Sequence, residues 1–147
     1  VPNKHNGLTF CAGSFSAGEH NDCVAMAKQF AERTHFVHLR SCYIFPNGNF
    51  TEASHLGGRG HLIELCRIFE KAEQEGKCNS GRRLPMRVDH GMTFTDEPGG
   101  VFDESNHGHN AGYTLLGRMF AMGQIQGVIA TVDDELGIEY KQPGFYD

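Results

Sequence analysis

A chain of 147 residues, 39% hydrophobic and 21% charged, has the make-up of one globular domain. Its formal charge of −5 leaves no cationic face for nucleic acid, and the Arg82-Arg83 pair reads as a loop cap. No apolar run approaches the ~18 residues that cross a membrane, and the first residues lack the charged-then-apolar order of a signal peptide.

In chain order, residues 7–13 read as a strand ending in a turn. Asn21 or Asp22 can cap a helix reaching about Arg33, with Val24, Ala27, Phe30 and Ala31 on one face. Residues 35–42 form the second strand, and residues 45–50 a loop built on Pro46-Asn47-Gly48-Asn49. Beyond Gly57-Gly58 a long helix carries Leu62, Leu65, Cys66 and Phe69 in one stripe and stops at Gly76. Residues 84–90 make the third strand. Residues 91–112 are rich in glycine and proline without periodicity, a loop long enough to suggest function. A last helix covers residues 113–130, and from Thr131 an acidic, then Gly/Pro-rich stretch reads as a loose tail (131–147). Five cysteines, odd in number and without a CxxC pair, fit a reducing compartment, with the cytoplasm as default. Cys23, Cys42, Cys66 and Cys78 read as packing or surface residues.

Strand and helix alternating three times imply an α/β fold with parallel strands covered by helices. Side chains alternate along a strand. Thr9 and Cys11 therefore share a face, as do Phe36, His38 and Arg40, and as do Arg87 and Asp89. The opposite face holds Leu8, Phe10, Val37, Leu39, Met86 and Val88. One face is thus apolar while the other turns polar towards the carboxyl ends of the strands, as in a TIM barrel with its site at that rim. An open doubly wound sheet needs both faces apolar and fits less well. A complete barrel takes ~250 residues, so three strand–helix units amount to a partial TIM barrel, with residues 1–147 the carboxyl-terminal part of one barrel domain.

A thiol (Cys11), an imidazole (His38) and a carboxylate (Asp89) at corresponding ends of successive strands can meet at one point, and each can ligate a metal. Taken alone, Cys11 reads as a small buried hydrophobe and His38 is evenly balanced. Asp89 leans functional, because a buried carboxylate needs a strong partner. Together the three favour a site. His55 reads as a loop histidine satisfied by its surroundings. His5, His20, His35 and His61 read as exposed or structural, and His107 and His109 as a solvated pair in the long loop.

The stretches NGLTFCAGS, NDCVAMAKQFAERTHFVHLRS, FTEASHL, LPMRVDHG and NAGYTLLGRMFAMGQIQG occur in an order that resembles the D-mannonate dehydratases, a family of the xylose-isomerase-like barrel superfamily, over roughly residues 6–128. The resemblance implies dehydration of D-mannonate to 2-keto-3-deoxy-D-gluconate, a step of hexuronate catabolism, with Mn2+ or Fe2+ as cofactor. It maps the metal ligands onto Cys11, His38 and Asp89, with a further histidine on an earlier strand that nothing in this chain replaces. The acid–base groups map onto His90 and Tyr113, leaving open which acts at which carbon. Arg40 and Arg87, on the ligand side, are candidates to meet the substrate carboxylate, with His55 as a further substrate contact. The expected partners are a sugar-acid substrate and, for the full-length protein, further copies of itself, with neither nucleic acid nor membrane.

The chain departs from the family after His55-Leu56, where an aspartate-containing stretch gives way to Gly58-Arg59-Gly60-His61. Its loop at 93–110 is longer than the family pattern and reads as an altered lid. Two other readings stand beside the enzymatic one. The first is a non-catalytic half-barrel whose exposed strand edges favour association. The second is a sugar isomerase or epimerase of the same superfamily, against which the cysteine ligand counts.

Overall fold

The computed structural model describes residues 3–94 and 112–139. Most of the long loop, with His107 and His109, and the tail at 140–147 lie outside the described residues.

The chain builds a mixed α/β unit around three parallel strands: β1 (Leu8–Cys11), β2 (Thr34–Leu39) and β5 (Met86–Val88), in the order β1-β2-β5. Between β1 and β2 lie a short helix α1 (Ala12–Ser16) and α2 (Cys23–Phe30). Asp22 caps α2 by accepting from the Val24 and Ala25 N–H groups at 3.0 and 2.9 Å, which satisfies two donors that the first turn leaves free. Between β2 and β5 come an antiparallel hairpin, β3 (Cys42–Ile44) with β4 (Phe50–Glu52), and then α3 (Leu62–Gln74). Helix α4 (Leu115–Leu136) follows β5.

Strand alternation holds along most of the apolar face, but Met86 is only partly buried and Leu8, beside a register shift at the start of β1, is 43% exposed. Phe10, Val37, Leu39 and Val88 are buried in the core, with the Phe10 ring edge-on to Phe69 of α3 at 5.2 Å. The α3 stripe Leu62, Leu65, Cys66, Phe69 and Ala72 is buried, and Gly76, at φ +67°, turns the chain away where a side chain would be strained. Cys66 packs deeply enough that burial pushes its thiol up to about 12. All five cysteines are free thiols.

Several boundaries differ from the sequence reading. Strand β2 stops at Leu39 because Ser41 turns the chain, its hydroxyl donating to the Gly57 carbonyl and accepting from the Gly60 N–H. Cys42 then belongs to the hairpin, whose three-residue strands are too short to show a period. Residues 12–16 close as a helical turn where only a turn was expected. The expectation of a loose tail from Thr131 is corrected for residues 131–136. Here α4 continues, because Val132 and Asp133 sit in its buried stripe with Gly117, Ala121, Ile125 and Val128. Gly137, at φ +68°, ends the helix. At 22 residues, α4 is also long and apolar enough by length and composition to cross a membrane, which corrects the statement that no such run exists. Its buried residues recur every three or four positions, the pattern of a helix packed on one side against a core.

Candidate metal centre

The register of the sheet sets the site. Cys11 pairs with His38 and His38 with Arg87 across β1, β2 and β5, so Asp89, two residues past Arg87, follows at the same end. The Cys11 thiol, an His38 ring nitrogen and an Asp89 carboxylate oxygen all lie within 4.8 Å of one another. Tetrahedral donors on a single ion, with bonds of about 2.0–2.3 Å, lie about 3.3–3.8 Å apart, so the side chains would close in by up to about 1 Å to seat one. A thiolate, an imidazole and a carboxylate together suit a divalent transition metal.

The protonation states suit ligation. Burial pushes the His38 imidazole down, against the upward pull of the Asp89 carboxylate 3.8 Å away, and the net shift is below the ordinary value. The ring is therefore neutral at neutral pH and keeps a lone pair. Burial pushes the Asp89 carboxyl up, yet the Arg87 guanidinium, the two histidines and the Tyr113 hydroxyl outweigh it and hold the group below the usual carboxylate range. Arg87 and Tyr113 both donate to Oδ1 of Asp89, Tyr113 at 3.1 Å. Oδ2 is the oxygen that faces His38.

His90 and Tyr113 come together as the resemblance implied. Their rings lie 4.4 Å apart between centroids, and His90 Nε2 is 3.7 Å from Asp89 Oδ2. Two glycines deliver Tyr113 to this point. A Cβ on Gly91 would run into the Gly117 carbonyl, and one on Gly117 would run into the Met92 carbonyl. Backbone therefore packs on backbone where α4 crosses the end of β5.

Arg40 lies on the ligand side, but its guanidinium grips Glu52, with Nε to Oε2 at 2.9 Å and Nη2 to Oε1 at 2.6 Å. His55 is fully buried, and its Nε2 bonds the Leu39 carbonyl at 2.8 Å, a tie between the β4–α3 connection and the end of β2. Its Nδ1 has no partner among the described residues. Arg87 is the outermost of the three, with 43% of its side chain exposed. Glu52 was not singled out from the sequence. Its signal was an acidic residue inside FTEASHL, directly after two strand-forming residues, but the hairpin that aims it inward has no periodicity to read.

Along nearly its whole length the chain is similar to known proteins. The sequence profile of the D-mannonate dehydratase (UxuA) family matches residues 1–138. Mannonate dehydratase 2 of Agrobacterium fabrum is 38% identical over 138 residues, covering 92% of this chain and 33% of that protein. The mannonate dehydratase of Saccharophagus degradans is 37% identical over 135 residues, covering 90% of this chain and 32% of that protein. The crystal structure of mannonate dehydratase from Streptococcus suis serotype 2 superposes with a TM-score of 0.70 at 21% identity, over 100% of this chain and 40% of that one, a likeness of fold. The chain thus spans about a third of the length of the curated relatives it matches. Through the profile that runs along nearly all of it, the chain belongs to the D-mannonate dehydratase family.

Proposed function

We propose that this chain carries the metal-binding and acid–base part of a hydro-lyase that converts D-mannonate to 2-keto-3-deoxy-D-gluconate, with Mn2+ or Fe2+ as cofactor. The observation that carries the reading is the convergence of Cys11, His38 and Asp89 beside the His90–Tyr113 pair. Cys11, His38 and Asp89 would hold the ion, which when bound polarises the substrate oxygens and lowers the cost of negative charge at C2. His90 and Tyr113 share the proton work. One takes the C2 proton as the C3–O bond breaks, and the other protonates the departing hydroxyl as water. The enol left between C2 and C3 becomes the 2-keto, 3-deoxy product. Arg87 is the cation placed to meet the substrate carboxylate, while Arg40 and His55 act through the groups they hold. The three strand–helix units are read as part of a TIM barrel within a homo-oligomeric cytoplasmic enzyme.

Cys11→Ala, His38→Ala and Asp89→Asn are each expected to abolish stoichiometric metal binding, measured by elemental analysis, and dehydration of mannonate, measured by formation of the 2-keto product. Full turnover with metal retained in Cys11→Ala would overturn the reading.

A further inference from the structure

Glu52 has no part in the proposed metal set, yet it is one of the most enclosed charged side chains near the site, with 9% of it exposed. It reaches the site because the β3–β4 hairpin pairs Glu52 with Cys42, whose thiol is held against the Gly13 carbonyl just past β1. Both carboxylate oxygens accept from Arg40, and Arg40 in turn lies in the space that Gly13 leaves by having no side chain. The same Oε1 that accepts from Arg40 lies 3.1 Å from Nδ1 of His90. On its other side the His90 ring is closed in by the backbone of Gly112, where a Cβ would fall 3.0 Å from Nδ1, and by the Tyr113 ring.

We propose that Glu52 is a positioning residue for His90: it accepts the Nδ1–H proton and so fixes the tautomer whose Nε2 lone pair points to the metal centre. A carboxylate already bound by a guanidinium has only lone pairs to offer, so the nitrogen facing it must be the one that bears hydrogen. The other nitrogen, Nε2, is then left without a proton on the neutral ring, 3.7 Å from the Asp89 oxygen that faces His38. This is the logic by which an outer carboxylate orients a catalytic imidazole. Arg40 supplies the second half of the device, because its two-point grip stops the carboxylate from rotating away. The inference rests on the proposed dehydratase reading only for the use made of Nε2, since the tautomer belongs to the fold itself.

The test reads the tautomer directly. In the 15N-labelled, metal-free chain, held at a pH where the ring is neutral, long-range 1H–15N correlations of His90 (assigned by comparison with His90→Asn) are expected to show a protonated Nδ1 and a bare Nε2. In Glu52→Gln, Arg40 keeps the amide oxygen and turns the amide NH2 towards Nδ1, so the tautomer is expected to reverse. Glu52→Asp keeps an acceptor and is expected to restore part of the parent pattern. In the mannonate assay, Glu52→Gln is expected to lower kcat by ~100-fold with KM within about threefold of the parent. A bare Nδ1 in the parent chain, which needs no variant to observe, or an unchanged tautomer in Glu52→Gln would overturn the proposal. The tautomer is read without substrate, so a parent protein inactive on mannonate would count against the dehydratase reading while the spectrum still decides the role of Glu52.

Discussion

Gly117 shows how much of the site depends on a side chain that is absent. In sequence it is one small residue in an apolar helix, but in the fold it lets α4 lie directly on the backbone of Met92 and Gly91. That contact fixes the start of α4, and with it Tyr113, whose hydroxyl reaches Asp89 at 3.1 Å. Gly117→Ala adds a methyl where there is no room, and overpacking of this kind costs ~1–3 kcal/mol. The expected outcome is a lower unfolding midpoint in urea together with loss of the Tyr113–Asp89 hydrogen bond, the latter seen as a change in the tyrosine hydroxyl's environment by NMR. Asp89 and Glu52 express the opposite principle at the same scale. Asp89 is buried and the Glu52 side chain is 9% exposed, and each is tolerated because it accepts from an arginine, with Tyr113 also donating to Asp89 and the His90 ring 3.1 Å from Glu52.

Helices α3 and α4 meet through an apolar seam, but the seam carries acid. Glu70 of α3 is pushed up to about 7, first by burial and then by the nearby carboxylates of Asp133 and Glu73, against a smaller opposing pull from Arg83. Asp133 of α4 is itself raised by burial, and its Oδ1 has no partner among the described residues. The sign of the linkage follows. Glu70 holds its proton more tightly folded than unfolded, so its contribution is complete below its ordinary value of 4.5 and is lost as the pH rises through about 7. Glu70→Gln keeps the shape and removes the ionisation. Its gain over the parent is expected to appear between pH 4.5 and 7 and to level off at about 1 kcal/mol, once screening on the partly exposed side is allowed for. Denaturation curves of both proteins across that range measure it, and parallel pH profiles would refute the account. The β3–β4 hairpin is the other element with consequences beyond its size. Its three-residue strands bury little, yet they alone bring Glu52 to His90.

For the whole molecule, the sheet has one strand with neighbours on both sides. β2 is bonded to β1 and to β5, while β1 and β5 each have one partner among the described residues. Native-state hydrogen exchange is therefore expected to be slowest at β2, where Val37 and Leu39 are fully buried, and faster along the outward edges of β1 and β5. Exchange at β1 as slow as at β2 in the isolated chain would show that its outer edge is covered, for example by a second copy. The outer face of the first turns of α4 carries Leu115, Leu116, Met119, Phe120 and Met122, each at least 44% exposed. That is more apolar surface than a solvated helix usually shows.

The parts legible in advance were those governed by local rules. Alternation along Thr9–Cys11, Phe36–His38 and Arg87–Asp89 assigned the polar face, because period-two geometry is a property of the backbone. The ordered blocks around Cys11, His38, Asp89, His90 and Tyr113 identified the family. Helix α3 could be read from its stripe and its terminal glycine. Elements held by distant contacts could not be read this way. The acidic end of α4 resembled a tail until Val132 was found packed in the core, and β3–β4 was too short to carry a pattern. Arg40 looked like a free cation because nothing in the order of residues says that Glu52, twelve positions on, will take its guanidinium. By itself, then, the sequence determined the family, the parallel α/β layout and which side chains share the ligand face, since these follow from short-range periodicity and composition. Only the tertiary structure decided how the charges pair, because Arg40, Glu52, His90, Asp89 and Arg87 each have several possible partners in sequence, and burial in a common space selects one arrangement among them.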